Sequence, residues 1–242
     1  MFGKNPIRSK LSDPNSLAVE AMFYTLQGEG PYAGMPALFI RLAGCNLACH
    51  FCDTQFEQNA DRPIDLQRIV EDLQSDFSKQ ARRFVVITGG EPLRQDFSGL
   101  AAWLLANGTE LIQVETAGTI WQPSIEQMVM HEQIVLVCSP KTPKVNQAVS
   151  AYCLHWKYVI KAGETDHAGL PFFSTQILGL AGPGLYRPDP DHVDDAGMTI
   201  WLSPCDEYDP VKNKANQDAA RDLCLQHGYR LSLQTHKIVN VE

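Results

Sequence analysis

The sequence predicts an α/β protein built on a partial (β/α) barrel of about six parallel strands. Short apolar runs alternate along the 242 residues with segments of helical spacing. Almost every apolar run also leads into polar or glycine-rich residues at its carboxyl end. Alternating strands and helices are typical of a parallel sheet, and barrel enzymes build their sites at the carboxyl ends of the strands. A doubly wound open sheet is the alternative that fits the same alternation.

The predicted strands are apolar and partly β-branched or aromatic, which favours buried strands. They cover residues 21–27, 37–44, 83–90, 110–118, 133–140, 155–163, 198–204 and 230–236. The predicted helices have apolar residues at three- and four-residue spacing or end at a glycine. They cover residues 63–77, 96–108 and 216–228.

The length suits one large α/β domain or two small ones. We expect a single domain over residues 19–242 after an N-terminal polar tail at 1–18. Residues 163–197 are rich in glycine, proline and acidic side chains. This stretch predicts a loop-rich insertion in the domain.

The net charge of −8 disfavours a broad surface for nucleic acid or for an anionic membrane. No apolar run reaches the length of a membrane span, and the first residues lack the apolar segment of a secretory signal. We therefore expect a cytoplasmic protein with no nucleic-acid partner and no membrane partner.

Three of the seven cysteines, Cys45, Cys49 and Cys52, fall within eight residues. The odd total and the expected cytoplasmic location both disfavour a disulfide framework. Three thiolates suit a 4Fe-4S cluster with one iron left open for a small molecule. A zinc site completed by Cys138 or His50 stays an alternative, and it would make the protein a zinc-stabilised binding module without catalysis.

The CxxxCxxC spacing, with Phe51 just before the last cysteine, resembles the signature of the radical S-adenosylmethionine enzymes. The GGEP stretch at residues 89–92 is similar to the GGE motif of that superfamily. The resemblance implies a 4Fe-4S cluster whose open iron binds the methionine part of S-adenosylmethionine. It also implies reductive cleavage to a 5′-deoxyadenosyl radical and a small redox protein, of the flavodoxin or ferredoxin type, as electron donor.

A narrower resemblance covers most of the chain. The segments at 26–54, 86–92, 114–119, 139–141 and 231–240 are similar to 7-carboxy-7-deazaguanine synthases. These lyases convert 6-carboxy-5,6,7,8-tetrahydropterin to 7-carboxy-7-deazaguanine with loss of ammonia, on the route to queuosine and related 7-deazapurines. The resemblance also implies a homodimer. A glycyl-radical activating enzyme, which acts on a protein, is the runner-up because it shares CxxxCxxC, but it should lack LQGEG and QTHK.

The same resemblance assigns residues to the substrate, a small carboxypterin. The guanidinium of Arg41 is a fork-shaped donor suited to its carboxylate, and Gln27 and Glu29 suit its amide and guanidine-like edge. The full implied set for the substrate is Leu26, Gln27, Gly28, Glu29, Arg41, Thr88, Glu115, His236 and Glu242.

The implied contacts to S-adenosylmethionine come from Phe51, Gly90, Glu91, Ser139, Lys141, Ser203 and Asp206. The segment from Ser203 to Asp206 departs from the family pattern. The resemblance further implies a Mg²⁺ ion bound by the Thr54 hydroxyl, with Asp53 in its outer shell. Few protein ligands and several other oxygens suit magnesium, which dehydrates reluctantly.

Overall fold

The computed structural model of the chain describes residues 4–50, 52, 54–175, 184–189 and 197–241. In chain order its strands are β1 (Ser16–Leu17), β2 (Val19–Leu26), β3 (Pro36–Leu42), β4 (Ile64–Asp65), β5 (Phe84–Gly89), β6 (Leu111–Thr116), β7 (Ile134–Cys138), β8 (His155–Ile160), β9 (Thr199–Pro204) and β10 (Arg230–Leu231). Its helices are α1 (Leu66–Asp76), α2 (Ser98–Ala106), α3 (Glu126–Met130), α4 (Gln147–Tyr152), α5 (Pro210–His227) and α6 (Thr235–Ile238).

The main sheet has the strand order β2-β3-β5-β6-β7-β8-β9-β10. Strand β2 runs antiparallel to β3, and every other neighbouring pair is parallel. The predicted α/β fold, a partial (β/α) barrel of about six parallel strands, is confirmed. Strands β2 and β10 form the two edges, so within the described residues strand pairing does not close the sheet into a complete barrel. Strands β1 and β4 form a separate antiparallel pair.

The two faces of the sheet differ because side chains alternate along each strand. In β8, Trp156, Tyr158 and Ile160 are buried in the main hydrophobic core, whereas the residues between them are half-buried. The same core contains Leu38, Ile40, Leu42, Val85, Ile87, Ile112, Val114, Ile134 and Leu136 from the other parallel strands. The opposite face carries polar side chains near the carboxyl ends of the strands, where the register pairs Arg41 with Thr88.

Helix α5 begins at Pro210 rather than at the predicted residue 216. The Asp209 carboxylate accepts hydrogen bonds from the backbone N–H groups of Val211 and Lys212, and proline suits the first helical position. The helix ends at Gly228, which adopts φ 73°, as the sequence predicts. Helices α3 and α4 are too short to show a clear period, and the sequence did not predict them.

The prediction of a closing strand over 230–236 is wrong beyond Leu231, because the chain turns and forms α6. The Ser232 hydroxyl accepts a hydrogen bond from Gly30 N at 2.9 Å, and Thr235 N donates to Gly28 O at 3.0 Å. The second contact uses the Thr235 N–H group, which a longer strand would need, and both contacts tie this segment to the loop after β2.

Residues 4–18, expected as a polar tail, lie against the domain. Ile7 forms an isolated parallel bridge with Cys45, and Leu17 and Ala18 are fully buried. In the described parts of 163–197, an isolated bridge joins Thr165 and Pro171. Across the described ranges, no helix combines the length and apolarity that a membrane crossing requires.

Candidate active site

Two adjoining cavities lie at the carboxyl ends of the parallel strands. The first, here the polar cavity, has a volume of about 530 Å³ and lies over β2, β3, β5, β6 and β8. The second, the cysteine cavity, has a volume of about 190 Å³ and lies beside the loop after β3. Thr54, Thr88, Glu115 and Lys157 line both, so the two cavities share a wall. The position agrees with the site expected for a barrel enzyme.

Cys45, Cys49 and Cys52 all line the cysteine cavity, and none of them forms a disulfide with another described cysteine. Burial, with the nearby Glu91 as a second cause, raises the pKa of the Cys45 thiol. The Thr175 hydroxyl donates to Cys49 Sγ at 3.1 Å. No three His, Cys, Asp or Glu side chains within the described ranges are placed to hold one metal ion. A 4Fe-4S cluster takes one thiolate per iron, so three thiols that face one cavity fit a cluster with an open iron.

The turn after β5 lies directly against the start of the cysteine loop. Gly90 N donates to Leu42 O at 3.2 Å, and Glu91 N donates to Gly44 O at 3.1 Å. A Cβ atom at Gly90 would overlap the Gly44 carbonyl, so a glycine is required for this approach. Gly90 lines the cysteine cavity, as expected for a backbone contact to a bound small molecule.

The Glu91 side chain was expected to contact S-adenosylmethionine, but in the structure it is directed into the protein interior. It is fully buried and accepts hydrogen bonds from Leu93 N, the Thr116 hydroxyl and Ala117 N at 3.0, 2.7 and 2.8 Å. Burial raises the pKa of this carboxyl. It does not line the cysteine cavity. Its carboxylate therefore joins the ends of β5 and β6, and its contact to a cofactor stays a prediction.

Ser139 and Lys141, which follow β7, line the cysteine cavity together. Lys141 Nζ donates to Ser139 Oγ at 3.0 Å. Burial lowers the pKa of Lys141, and the nearby Cys49 opposes this shift. The pair thus places a cation and a hydroxyl group beside the thiols, and both groups can bind the carboxylate of a ligand.

Ser203 and Asp206 are not brought to either cavity. Ser203 is buried, and Asp206 lines a separate pocket with Lys237 and Asn213. The hydrogen bond from Lys237 holds the pKa of Asp206 down at about 2, and the Tyr208 backbone adds to the effect. The structure gives Asp206 a local ion pair, and its expected cofactor contact stays a prediction.

Glu115 is the best-anchored group of the polar cavity. Its carboxylate accepts hydrogen bonds from Thr88 Oγ1 at 3.1 Å, Gln27 Nε2 at 3.1 Å and Gln113 Nε2 at 3.0 Å. Thr88 belongs to β5, Gln27 to the loop after β2, and Gln113 to β6. Side chains from three elements therefore hold this one acceptor in place. Such an acceptor can bind the N–H edge of a heterocycle without rearrangement.

Arg41 lies beside an aromatic wall that the sequence did not reveal. Its guanidinium carbon is 5.2 Å from the centroid of the Phe23 ring, which stacks on Phe39 at 5.3 Å. Both rings line the polar cavity. Arg41 Nε is buried without a hydrogen-bond partner among the described residues. A cation with an open donor next to flat apolar faces suits a planar carboxylate.

Gly28 and His236 are in direct contact at the mouth of the polar cavity. A Cβ atom at Gly28 would overlap the imidazole ring, so a side chain at 28 would displace His236. The Thr235 hydroxyl also donates to Gly28 O at 3.1 Å. The loop after β2 and the end of the chain therefore form one wall.

Glu29 forms an ion pair with Lys157 of β8, and each side chain is only 14% exposed. Burial alone would raise the pKa of Glu29, but the charge and hydrogen bond of Lys157 outweigh it, so the pKa is lowered. Sequence reasoning missed Lys157. A lysine between Trp156 and Tyr158 in a buried strand was the available signal.

Most predicted substrate residues meet in the polar cavity, which is lined by Leu26, Gln27, Gly28, Glu29, Arg41, Thr54, Thr88, Glu115 and His236. Phe51, Asp53 and Glu242 lie outside the described residues. The residues that line the cavities without having been predicted include Asn5, Phe23, Phe39, Gln55, Lys157 and Gln234.

Comparison with known proteins identifies the superfamily. The model of the Radical SAM superfamily matches residues 39–144, which include the three clustered cysteines and the turn after β5. Enzymes of this superfamily use a 4Fe-4S cluster and S-adenosylmethionine, in agreement with the donor set of the cysteine cavity. The QueE crystal structure from Escherichia coli aligns over 90% of this chain and 93% of that chain, with a TM-score of 0.63 and 24% identity, and shows the same fold.

Two curated relatives extend the likeness to the whole chain. The 7-carboxy-7-deazaguanine synthase of Rhodospirillum rubrum is 40% identical over all of this chain and all of that protein. The 7-carboxy-7-deazaguanine synthase of Rickettsia prowazekii is 35% identical over all of this chain and 96% of that protein. The chain is therefore an enzyme that belongs to the 7-carboxy-7-deazaguanine synthase family of the radical S-adenosylmethionine superfamily.

Proposed function

We propose that the enzyme converts 6-carboxy-5,6,7,8-tetrahydropterin to 7-carboxy-7-deazaguanine with loss of ammonia, as a lyase of 7-deazapurine (queuosine-type) biosynthesis. The observation that carries the proposal is the shared wall between the two cavities. Both the cysteine cavity, with its three thiols, and the polar cavity are lined by Thr54, Thr88, Glu115 and Lys157. A radical formed in one cavity therefore has its substrate in the next.

The cysteine cavity would hold the cofactors. Cys45, Cys49 and Cys52 would ligate the cluster, and Gly90, Ser139 and Lys141 would contact S-adenosylmethionine. When bound and reduced, these cofactors supply the 5′-deoxyadenosyl radical that removes a hydrogen atom from the substrate. Lys141 is suited to the methionine carboxylate because it is a buried cation beside the thiols.

The polar cavity would orient the pterin. Arg41 is placed to bind the carboxylate, and the ring would lie against Phe23 and Phe39. Glu29 and Glu115 would accept hydrogen bonds from the N–H groups of the substrate edge, with Gln27 and Thr88 holding Glu115 in place. Because Lys157 keeps Glu29 ionised, Glu29 acts as an acceptor and not as a donor.

The proposal includes a Mg²⁺ ion near Thr54, the residue that lines both cavities. Its hydroxyl would be one ligand, substrate oxygens and water would supply the others, and Asp53 would lie in the outer shell. Removal of Mg²⁺ with EDTA, followed by metal add-back, tests this ligand through the rate of product formation.

We also propose the remaining partners that the family resemblance implies. A small flavodoxin- or ferredoxin-type protein would supply the electron, and the enzyme would work as a homodimer in the cytoplasm. Sedimentation equilibrium tests the dimer, and product formation with each reduced electron carrier tests the donor.

The decisive experiment is anaerobic incubation of reconstituted enzyme with reductant, S-adenosylmethionine, Mg²⁺ and the carboxytetrahydropterin. We expect 5′-deoxyadenosine and 7-carboxy-7-deazaguanine in parallel. Cofactor cleavage without this product would reject the substrate and keep the radical chemistry. A stoichiometric zinc ion in place of iron and sulfide would reject both the proposed substrate and the radical chemistry.

Alanine at Cys45, Cys49 or Cys52 should abolish cleavage of S-adenosylmethionine and leave the fold intact, since each change removes one cluster ligand. Far-UV circular dichroism checks the fold, and chromatography of 5′-deoxyadenosine checks the chemistry. Cys224→Ala is the matched control, because Cys224 is a buried cysteine in α5 away from both cavities. Cleavage retained in any of the three variants would contradict the assignment of the ligands.

A further inference from the structure

The N-terminal segment Asn5–Leu11, here called the strap, runs along the loop that carries the three cysteines. Ile7 forms a parallel bridge with Cys45, and Arg8 N donates to Cys45 O at 2.8 Å. Leu11 N donates to Arg94 O at 2.7 Å, which fixes the far end of the strap. The backbone of the first cysteine is thus held by a segment almost forty residues earlier in the chain.

Asn5 lines the cysteine cavity although it lies at the start of the strap. It is 7% exposed, and its Nδ2 donates to Leu47 O at 2.7 Å and to Pro6 O at 3.2 Å. These two carbonyls fix the amide orientation, because a reversed amide would place its oxygen against them. Asn5 Oδ1 is buried and has no hydrogen-bond partner among the described residues. Buried polar atoms are normally paired, so this acceptor is an exception at the wall of the cysteine cavity.

Arg8 fastens the other side of the same loop. Its Nε and Nη2 donate to Glu57 Oε2 at 3.1 and 2.9 Å, and its Nη1 donates to Asp61 Oδ1 at 2.7 Å. The Glu57 side chain is largely buried, which strengthens the pair relative to one in open solvent. The cysteine loop lies between these attachments, with Cys45 and Leu47 at one end and Glu57 at the other.

Arg94 connects the strap to the strand that leads into the loop. Its Nη1 donates to Ser9 O at 2.9 Å, and its Nη2 donates to Ala43 O at 3.0 Å. The guanidinium is almost fully buried. The strap is therefore attached to the domain at several points, and its residue Asn5 forms part of the wall of the cysteine cavity.

We propose that Asn5 and Arg8 are positioning residues that hold the cysteine loop around the cluster and slow its loss. This inference rests on the proposed assignment of Cys45, Cys49 and Cys52 as the cluster ligands. Groups that orient metal ligands typically change metal affinity or activity by about 10–100-fold when they are removed. Asn5 also forms part of the cavity wall, and the charge and burial of that wall affect the potential of a bound cluster.

The test compares three variants after anaerobic reconstitution with iron and sulfide. Asn5→Ala and Arg8→Ala should lose iron to a chelator about 10-fold faster than the unchanged enzyme. Lys10→Ala should lose iron at the unchanged rate. It is the matched control because Lys10 also lies in the strap, but its Nζ donates to Trp121 O at 2.8 Å, away from the cysteine loop.

A second readout separates positioning from general stability. Asn5→Asp replaces the amide with a carboxylate of the same shape, so a negative charge at the cavity wall should shift the midpoint potential of the cluster to a more negative value. Arg8→Lys keeps the charge but loses the two-point contact to Glu57, so it should recover part of the loss seen in Arg8→Ala.

The outcomes are distinguishable. If the unchanged enzyme binds no cluster, the proposed function fails before the strap is tested. If it binds the cluster and both alanine variants release iron at its rate, the role of the strap is overturned. Faster release that only follows a lower unfolding midpoint of the apo-protein, with an unshifted potential in Asn5→Asp, also overturns it.

Discussion

At the scale of single residues, the charge state of Glu29 depends on one partner. The carboxylate is buried at the polar cavity, and burial favours its neutral form. Lys157 reverses this preference because it places a cation against the carboxylate in the same low-dielectric surroundings. Lys157 therefore favours the ionised form of Glu29, in which both carboxylate oxygens can accept hydrogen bonds from a substrate.

Lys157→Met should lower kcat/KM for product formation by about 30-fold or more, because loss of one partner of a buried charge pair costs about 2 kcal/mol or more. Burial is then opposed only by the hydrogen bond of Gln234 and the charge of His236, so the pKa of Glu29 should rise. The activity of the variant should fall as the pH decreases through that raised pKa, in a range where the unchanged enzyme stays constant. A pH profile of kcat/KM measures this, and Lys157→Arg, which keeps the charge, should restore the constant profile.

Thr175 offers a second prediction at this scale. Its hydroxyl donates to Cys49 Sγ at 3.1 Å, and hydrogen bonds to ligand sulfurs favour the more negative, reduced cluster. Thr175→Val keeps the shape and removes the donor. We expect the midpoint potential to become more negative by about 40 mV, the equivalent of about 1 kcal/mol for one electron. Redox titration followed by electron paramagnetic resonance measures the shift, and an unchanged potential would contradict the role of the hydroxyl.

At the scale of elements, alternation along the strands predicts where the sheet lies but not which face binds a ligand. The segment HWKYVI of β8 reads as a buried strand, and it buries every second side chain. Lys157 lies at a half-buried position of that pattern, but its partner Glu29 lies 128 residues earlier, so the sequence does not reveal the pair. The cysteine loop and the turn after β5 were predictable because their residues are close in sequence.

Other features of the site depend on contacts between distant segments. The closing strand ends early because Gly28 and Gly30 bind Thr235 and Ser232 across the mouth of the polar cavity. Glu91 turns to the end of β6, where Thr116 and Ala117 offer donors. The sequence shows that such residues are polar and lie near a strand end. Which groups they contact depends on tertiary packing.

Helix α5 provides a prediction about stability at the element scale. Asp209→Ala removes the carboxylate that accepts from Val211 N and Lys212 N, so the free energy of unfolding should fall by about 1 kcal/mol. Urea denaturation measures the loss. Asp209→Asn keeps an acceptor oxygen and should cost much less. Product formation should not change in either variant, because Asp209 lines neither the polar cavity nor the cysteine cavity.

At the scale of the whole molecule, the two ends of the chain serve different cavities. The strap contacts the loop of the three cysteines, whereas Gln234 and His236 line the polar cavity. The sheet between them contributes the shared wall of Thr88, Glu115 and Lys157. The first and the last described segments therefore contact different cavities, although strands and loops between them contribute to both.

A chain that ends at Leu231 tests this separation. It keeps β10 and every described residue of the cysteine cavity, but it loses His236 and the contacts of Ser232 and Thr235 to the loop after β2. We expect unchanged iron and sulfide content, 5′-deoxyadenosine at the slow rate seen without substrate, and no 7-carboxy-7-deazaguanine. Chromatography of both products measures the uncoupling, and urea denaturation shows whether the shortened chain stays folded.

The full-length double variant Ser232→Ala, Thr235→Val gives the same test without shortening the chain. It removes two side-chain hydrogen bonds across the mouth and leaves the Thr235 N to Gly28 O bond and the imidazole in place. Each lost bond costs about 1 kcal/mol, so product formation should fall by about 10–30-fold while basal cleavage persists. A parallel loss of iron in this variant would show that the two cavities depend on each other, because closing of the mouth would then also hold the cysteine loop.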